Sequence, residues 1–409
     1  MPKVAPDVAF DRVLLTPEYL ADPYPFYQEL RNKAPVYFSQ RLNGWVLTRH
    51  SDVTAGLCDK RLISGQRVES FASHLPAAIL QGMRPLYDHL GKWIGNMDPP
   101  DHTRLRALVN KAFTPRMVQD LGPSIEAIAF RLLDAAAGKG QMEFIRDFAY
   151  PLPATVIASM LGLPPGDQDQ FIAWADDLTA YSGSGSANIE LSQTAQRSVA
   201  ALTDYFRRIV SERRTRPRND LISTLVALEE QGDKLSEQEL ISMCTFLLVA
   251  GHETTMALLA NGLLALLRNP SQREALQSKP ERTRSAVEEF LRYDSPIQHQ
   301  TRVAGESFEL DGSQLERGQR VLLMLGAANR DPAQFADPDR LDIEREPNKH
   351  VAFGLGIHYC IGAPLARLEA QIAFPELLSR FPEIRLEDET LEWRRHTSQR
   401  NPVRMNLVW

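Results

Sequence analysis

One cysteine constrains the folding of this chain more than any other residue. Cys360 lies in the run Phe353-Gly354-Leu355-Gly356-Ile357-His358-Tyr359-Cys360-Ile361-Gly362. Glycines on both sides let the backbone turn closely around the sulfur and bring N–H groups toward it. His358 adds a cationic group two positions before it. Such a turn suits a thiolate kept anionic as the axial ligand of a haem iron, where its electron donation favours O–O cleavage. A lone cysteine is more often an inert buried side chain. Neither Cys58 nor Cys244 is expected to matter to such a centre. Three scattered cysteines form neither a disulfide framework nor a Cys-based zinc site, and they point to a reducing compartment.

A second constraint lies in Ser236–Leu267, whose apolar pattern predicts a long helix. Its middle reads Ala250-Gly251-His252-Glu253-Thr254-Thr255. Glycine and threonine each cost roughly 0.5–1 kcal/mol relative to Ala inside a helix, so something other than helix propensity favours them. Small residues at Ala250 and Gly251 would let a flat cofactor and a diatomic ligand approach the backbone. A threonine hydroxyl bonding back to the preceding turn would open a groove. Glu253 beside Thr254 forms an acid–alcohol pair able to relay protons. His252-Glu253 begins like the zinc motif H-E-x-x-H, but Met256 replaces the second histidine and that reading fails.

The rest of the pattern is mainly α with small β-sheets. Residues 35–39 and 44–48 read as strands around a turn, and 61–100 as a loop-rich stretch. Helices are expected over Gly122–Ala137, Pro153–Leu161, Pro165–Leu178, Leu191–Arg213, Leu221–Gln231, Ser271–Gln277, Glu281–Tyr293 and Pro364–Phe381. One begins after Pro100, carrying His102 and Arg106 on one face at i, i+4. Residues 181–188 read as a flexible loop, 301–324 as strands, and the C-terminus as a closing strand. No low-complexity linker or fixed-period repeat divides the chain, so residues 1–409 are expected to form one large domain. A formal charge of -6 argues against nucleic acid or an anionic membrane as the main partner. Neither a signal peptide nor a charge-free stretch of about 18 apolar residues is found, so a cytoplasmic protein with no membrane contact is expected.

Around Cys360 and across Ala250–Thr255 the sequence closely resembles the cytochrome P450 family in its short bacterial form. Glu289-Phe290-Leu291-Arg292 is similar to that family's Glu-x-x-Arg pair, with Asn329–Pro332 and Phe335–Arg340 as its partners. The resemblance implies the P450 fold and haem b (iron protoporphyrin IX) with Cys360 as metal ligand. It implies cofactor contacts from His102, Arg106, Ala250, Gly251, Arg302, Phe353, His358 and Gly362. Propionates need cationic partners, and His102, Arg106, Arg302 and His358 match those positions. Thr254 would hydrogen-bond the oxygen molecule and Glu253 would help deliver protons. Phe246, Val249, Ala250, Ile297, Gln298, Thr397 and Ser398 would face the substrate. One departure is Arg400-Asn401-Pro402, where many relatives carry Arg-Gly-Leu, so the turn before it is expected to differ in shape.

The resemblance implies a monooxygenase that inserts one atom of O2 into a sizeable hydrophobic molecule, as in secondary metabolism. About 50 residues follow Cys360, too few for a fused flavin domain of ordinary size. Electrons are therefore expected from a separate ferredoxin and ferredoxin reductase, with Arg104, Lys111 and Arg116 as candidate docking cations on a monomer. A peroxide-driven peroxygenase is the first rival, although that type carries Arg-Pro where this chain has Glu253-Thr254. A haem sensor, which needs no proton relay, is the second. A cysteine hydrolase using Cys360 and His358 fails for want of an orienting third group.

Overall fold

The computed structural model of the protein describes residues 9–184, 187–230 and 235–409. It is mainly helical with small sheets, as the sequence implies. Among the described residues the strands are β1 (Val36–Ser39), β2 (Gly44–Leu47), β3 (Leu62–Ile63), β4 (Gln141–Glu143), β5 (Gln300–Ala304), β6 (Phe308–Leu310), β7 (Ser313–Leu315), β8 (Arg320–Leu323), β9 (Arg385–Leu386) and β10 (Asn406–Val408).

Backbone contacts group the chain into two compact units. The first runs up to Leu62 and includes Gly122–Leu152 and Thr254–Trp409; the second comprises Ile63–Leu121 and Pro153–Glu253. In the first, the main sheet has the order β1-β2-β8-β5-β3. β1 and β2 pair antiparallel around Asn43, whose φ of 48° makes the tight reversal. β2 then runs parallel to β8 and β5 antiparallel to it. Side chains alternate between the faces. Val46 and Leu322 pack against an aromatic cluster of Phe10, Tyr19, Tyr24 and Tyr27. Trp45, Leu47, Val321 and Leu323 pack against Val53, Leu57 and Leu62. A β-hairpin of β6 and β7 and the small sheet β4-β10-β9 complete the strands.

The second unit is almost entirely helical. Along Ile189–Thr215 the buried positions Ser192, Ala195, Val199, Leu202, Phe206, Ile209 and Arg213 recur every three or four residues, the stripe of a half-buried helix. Arg213 is enclosed at its end, donating 2.6 Å hydrogen bonds to Asp220 and the Gly162 carbonyl. Gly162 needs φ of +73° there, and an added Cβ would lie 2.2 Å from the Asp220 carboxylate.

The long helix spans Glu237–Leu267 without a break, its residues divided between the units at Glu253. It is long and apolar enough to cross a membrane by composition. However, 72% of its most apolar window is buried inside the protein, which makes it a core helix.

Residues 61–100 depart from expectation. They carry helices Arg67–Ala72, Ala77–Gly82 and Arg84–Leu90 and a 3-10 turn at Ile94–Asn96. These pieces are too short to print a period, and the prolines that suggested loops start helices instead: Pro76 stands at an N-cap and Pro85 in a first turn. Helices Tyr24–Lys33 and His50–Cys58 also precede anything expected as helix. Helix Gln168–Gly183 extends into the expected loop at 181–188, of which residues 185 and 186 lie outside the described residues.

Candidate functional site

The cysteine loop is closed by its own backbone. The Cys360 N–H donates to the Phe353 carbonyl at 3.0 Å, and Gly354 N–H donates to Val351 at 2.8 Å. Gly354 and Gly356 take φ of +71° and +73°, which side chains rarely adopt, so the glycines are what permit this turn. Gly362 is the N-cap of helix Ala363–Arg380, with Pro364 in its first turn. The sulfur therefore precedes a helix N-terminus, whose dipole favours negative charge. Cys360 is half-buried, whereas Cys244 is enclosed in the long helix and burial pushes its thiol up. Leu355, Ile357 and Tyr359 present apolar surface around the loop, at 40%, 53% and 37% exposure.

The loop stands on a buried ion pair. Arg292 and Glu289, both fully buried, meet at 2.7 and 2.8 Å. Arg292 spends its remaining donors on the carbonyls of Asn329, Pro338 and Arg340. Glu289 accepts from Asp342 N–H, Arg345 and Asn348. The Asn329 side chain in turn accepts the Val351 N–H at 2.8 Å, where the cysteine loop begins. The carbonyls that Arg292 reaches lie in the expected runs 329–332 and 335–340, whereas the partners of Glu289 lie beyond them, at Asp342, Arg345 and Asn348.

A second brace has no signature in the sequence. Glu288 is bonded by Arg367 at 2.6 and 2.8 Å and by His350 at 3.0 Å. Arg367 also donates to the Tyr359 hydroxyl at 3.0 Å and lies 4.5 Å over the Phe353 ring.

In the middle of the long helix, between Leu240 and Leu266, Phe246, Ala250 and Thr254 recur at every fourth position and are the incompletely covered ones, with Gly251 beside them; Val249, His252 and Glu253 are buried. The Phe246 ring rests against Trp93, centroids 5.6 Å apart. The missing Cβ of Gly251 faces Ile157, so glycine here serves helix packing, and Ala250 alone keeps the exposed side small. His252 Nδ1 bonds the Leu248 carbonyl at 2.9 Å and Nε2 lies 3.7 Å from Asp176. Donor atoms of Asp176, His252 and Glu253 all fall within 4.8 Å of one another.

Each unit carries two of the four expected propionate partners: His102 (buried) and Arg106 (half-buried) on helix Asp101–Ala112, and Arg302 (buried) with His358 (half-buried) in the first unit. Of the expected substrate residues, Ile297 and Ser398 are half-buried. Thr397 is buried, in a turn that His396 Nδ1 ties by accepting the N–H groups of Ser398 and Gln399. Gln298 is buried, its amide oxygen accepting from the Tyr27 hydroxyl at 3.1 Å and its nitrogen donating to the Ser295 carbonyl at 2.7 Å. Arg104 donates to Glu239 and Asp101. Arg400, at the departure from the usual pattern, is buried over Trp393 and bonded to Asp294 and the carbonyls of Leu20 and Ala21.

The family model for cytochrome P450 matches residues 186–398. The chain is 42% identical to cytochrome P450 CYP107DY1 of Priestia megaterium, over 92% of this chain and 93% of that protein. This chain belongs to the cytochrome P450 family. It is 40% identical to the polyketide biosynthesis cytochrome P450 PksS of Bacillus subtilis, over 93% and 94% of the two chains. Among solved P450 structures, P450BioI in complex with a hexadec-9Z-enoic acid ligated acyl carrier protein superposes with a TM-score of 0.88, at 38% identity over 96% of this chain and 99% of that one. Myxobacterial CYP267B1 in complex with myristic acid superposes at 0.89, at 42% identity over 98% and 99%.

P450 proteins are haem-thiolate monooxygenases carrying haem b, and this chain is one of them. The residues fit that group. One half-buried cysteine sits in a turn that only glycines can make, ahead of a helix N-terminus, and the other two cysteines have neither feature.

Proposed function

We propose that Cys360 is the thiolate ligand of the haem and that the protein inserts one oxygen atom into a C–H or C=C bond of a sizeable, mostly hydrophobic molecule. Electrons come from a separate ferredoxin and its reductase. The observation that carries this reading is the closed turn around Cys360, which offers one sulfur in a preset direction.

When bound, the haem supplies the iron at which dioxygen is reduced and split. Cys360 would hold that iron and donate charge to it, and the Thr254 hydroxyl, on the uncovered stripe of the long helix, would hydrogen-bond the oxygen molecule. Glu253 is 1% exposed and supplies protons from its carboxyl oxygens. Asp176, half-exposed on helix Gln168–Gly183, reaches solvent and lies close to His252 and Glu253, giving protons a route to that buried acid. His102, Arg106, Arg302 and His358 neutralise the propionates. Lys111 and Arg116 are the exposed cations offered to an acidic ferredoxin.

The residues assigned to the substrate are mostly apolar, Phe246, Val249 and Ala250 in the second unit and Ile297 in the first, and Thr397 and Ser398 of the first unit add hydroxyls. Apolar molecules of varied shape accompany the related structures: a fatty acyl group on a carrier protein, myristic acid, and testosterone with CYP109E1. We assign the protein to the cytoplasm, where the exposed free thiol of Cys58 would stay reduced.

The test is spectroscopic. The reduced protein under CO is expected to show the strongly red-shifted Soret band of thiolate ligation. Cys360→Ala should abolish it, while Cys58→Ala and Cys244→Ala leave it unchanged. Loss of the band in either of those variants would show that the ligand is misassigned. Turnover with NAD(P)H and redox partners, compared with H2O2 alone, separates the monooxygenase from a peroxygenase.

A further inference from the structure

Glu288 and Glu289 are neighbours on helix Thr283–Tyr293, and a helix turns about 100° per residue, so their carboxylates leave it in different directions. Glu289 goes to Arg292. Glu288 goes to the imidazole of His350, just before the cysteine loop, and to the guanidinium of Arg367, on the helix that follows it.

Each contact of this carboxylate has a defined donor. Arg367 grips Glu288 through Nε and Nη2, the two-pronged geometry in which arginine differs most from lysine. His350 Nδ1 accepts the Ala352 N–H at 3.2 Å, so its proton sits on Nε2 and is donated to Glu288. The remaining prong, Nη1 of Arg367, reaches the hydroxyl of Tyr359, the residue before Cys360. The flat face of the same guanidinium covers Phe353, whose carbonyl accepts the Cys360 N–H. One side chain thus touches both residues that set where the sulfur stands. Arg367 and Glu288 are only about one-quarter exposed, at 26% and 28%, so solvent does little to weaken the pair.

We propose that Arg367, oriented by Glu288, is a positioning residue for Cys360, holding Phe353 and Tyr359 so that the sulfur keeps its direction and its shielding from water. It touches neither the iron nor the substrate and acts through the loop. The inference rests on the reading of Cys360 as the haem ligand. Without the brace, Leu355–Tyr359 lose their anchor and water gains access to the sulfur. Water at the sulfur draws charge off it, weakening its donation to iron and raising the reduction potential.

The experiment uses the haem-loaded protein and four variants: Arg367→Lys, Glu288→Gln, Tyr359→Phe, and Arg84→Ala as a control. Arg84 forms an exposed ion pair with Asp88 in the second unit. Haem content, reduction potential and the CO-bound spectrum of the reduced protein are measured together with the thermal midpoint. Arg367→Lys keeps the charge but loses the fork and the flat contact with Phe353. It is expected to bind haem yet show a raised potential and a several-fold larger fraction of the form lacking thiolate ligation. Glu288→Gln should do the same, and Tyr359→Phe should shift the potential in the same direction by less. Arg84→Ala should move none of these. If Arg367→Lys and Glu288→Gln lower only the thermal midpoint, with potential and spectrum as in the wild type, the pair is a plain stabilising contact and the proposal falls. Should Arg367→Lys fail to fold, Tyr359→Phe decides through the potential. A wild-type protein without the thiolate spectrum would instead overturn the assignment of Cys360, and the proposal with it.

Discussion

The missing Cβ of Gly251 points at Ile157: a methyl added there would stand 2.9 Å from both Cγ1 and Cδ1 of that side chain. The glycine thus lets the long helix approach helix Pro151–Leu161, and two effects oppose each other in Gly251→Ala. Helix propensity gains roughly 0.8–1 kcal/mol. Overpacking costs roughly 1–3 kcal/mol because Ile157 must move. A net loss of about 1 kcal/mol is expected, read as a lower thermal midpoint of the haem-loaded protein. Ile157→Val, which retracts Cδ1, should reduce the cost of Gly251→Ala; a cost unchanged in that background would show that Ile157 is not the obstacle.

The fully buried pair Glu289–Arg292 makes a harsher prediction. Removing one partner leaves the other charged, dry and surrounded by groups committed to it, a situation worth roughly 3–5 kcal/mol. Glu289→Gln and Arg292→Lys are both expected to give protein that retains little haem after expression. Arg292→Lys belongs in the list because one ammonium cannot serve Glu289 and three carbonyls in a plane. Haem content per chain is the measurement, and either variant retaining it in full would deny the pair its role in carrying the cysteine loop.

The Glu-x-x-Arg pair was readable because three residues of spacing on one helix carry it, and its partners lie in short polar runs nearby. Glu288 was not, since its partner Arg367 is 79 positions away and a lone glutamate beside another looks like solvated surface. Nor does the sequence show that the Tyr27 hydroxyl meets the Gln298 amide or that Glu239 meets Arg104, because only the fold brings those distant residues together. Some long helices showed their ends almost to the residue, as with Gly122–Ala137, because many turns repeat one period, although the helix expected to end at Leu178 runs on to Gly183. Helices of six or seven residues between 67 and 90 repeat it too few times to be seen.

Thr254 lies half-buried on the uncovered stripe of the long helix, and no backbone break marks its position. If its hydroxyl holds the oxygen molecule, Thr254→Ala should bind haem and substrate normally yet divert electrons to peroxide. The ratio of product formed to reductant consumed should fall several-fold, while Thr254→Ser, which keeps a hydroxyl, should retain most of it. A Thr254→Ala protein with wild-type coupling would remove the residue from the chemistry. Asp176→Asn tests the proton route separately, with slower reductant consumption expected and haem spectra unchanged.

Glu288 also links the cysteine loop to pH. Burial alone would raise its carboxyl, but hydrogen bonds from Arg367 and His350, with the charge of Arg367, outweigh it and hold the group down to about 2 from an ordinary 4.5. A carboxyl that is more acidic when folded stabilises the folded state above its unfolded value and loses that contribution as pH falls toward the folded value. The difference corresponds to about 3 kcal/mol. Glu288→Gln cannot ionise and lacks this contribution at every pH. The thermal midpoint of the wild type should therefore exceed that of Glu288→Gln by its full margin above about pH 5. The two should converge as pH drops toward 2, with loss of the thiolate spectrum following the same course. A margin independent of pH would mean that the carboxylate charge contributes nothing and that shape alone holds the loop.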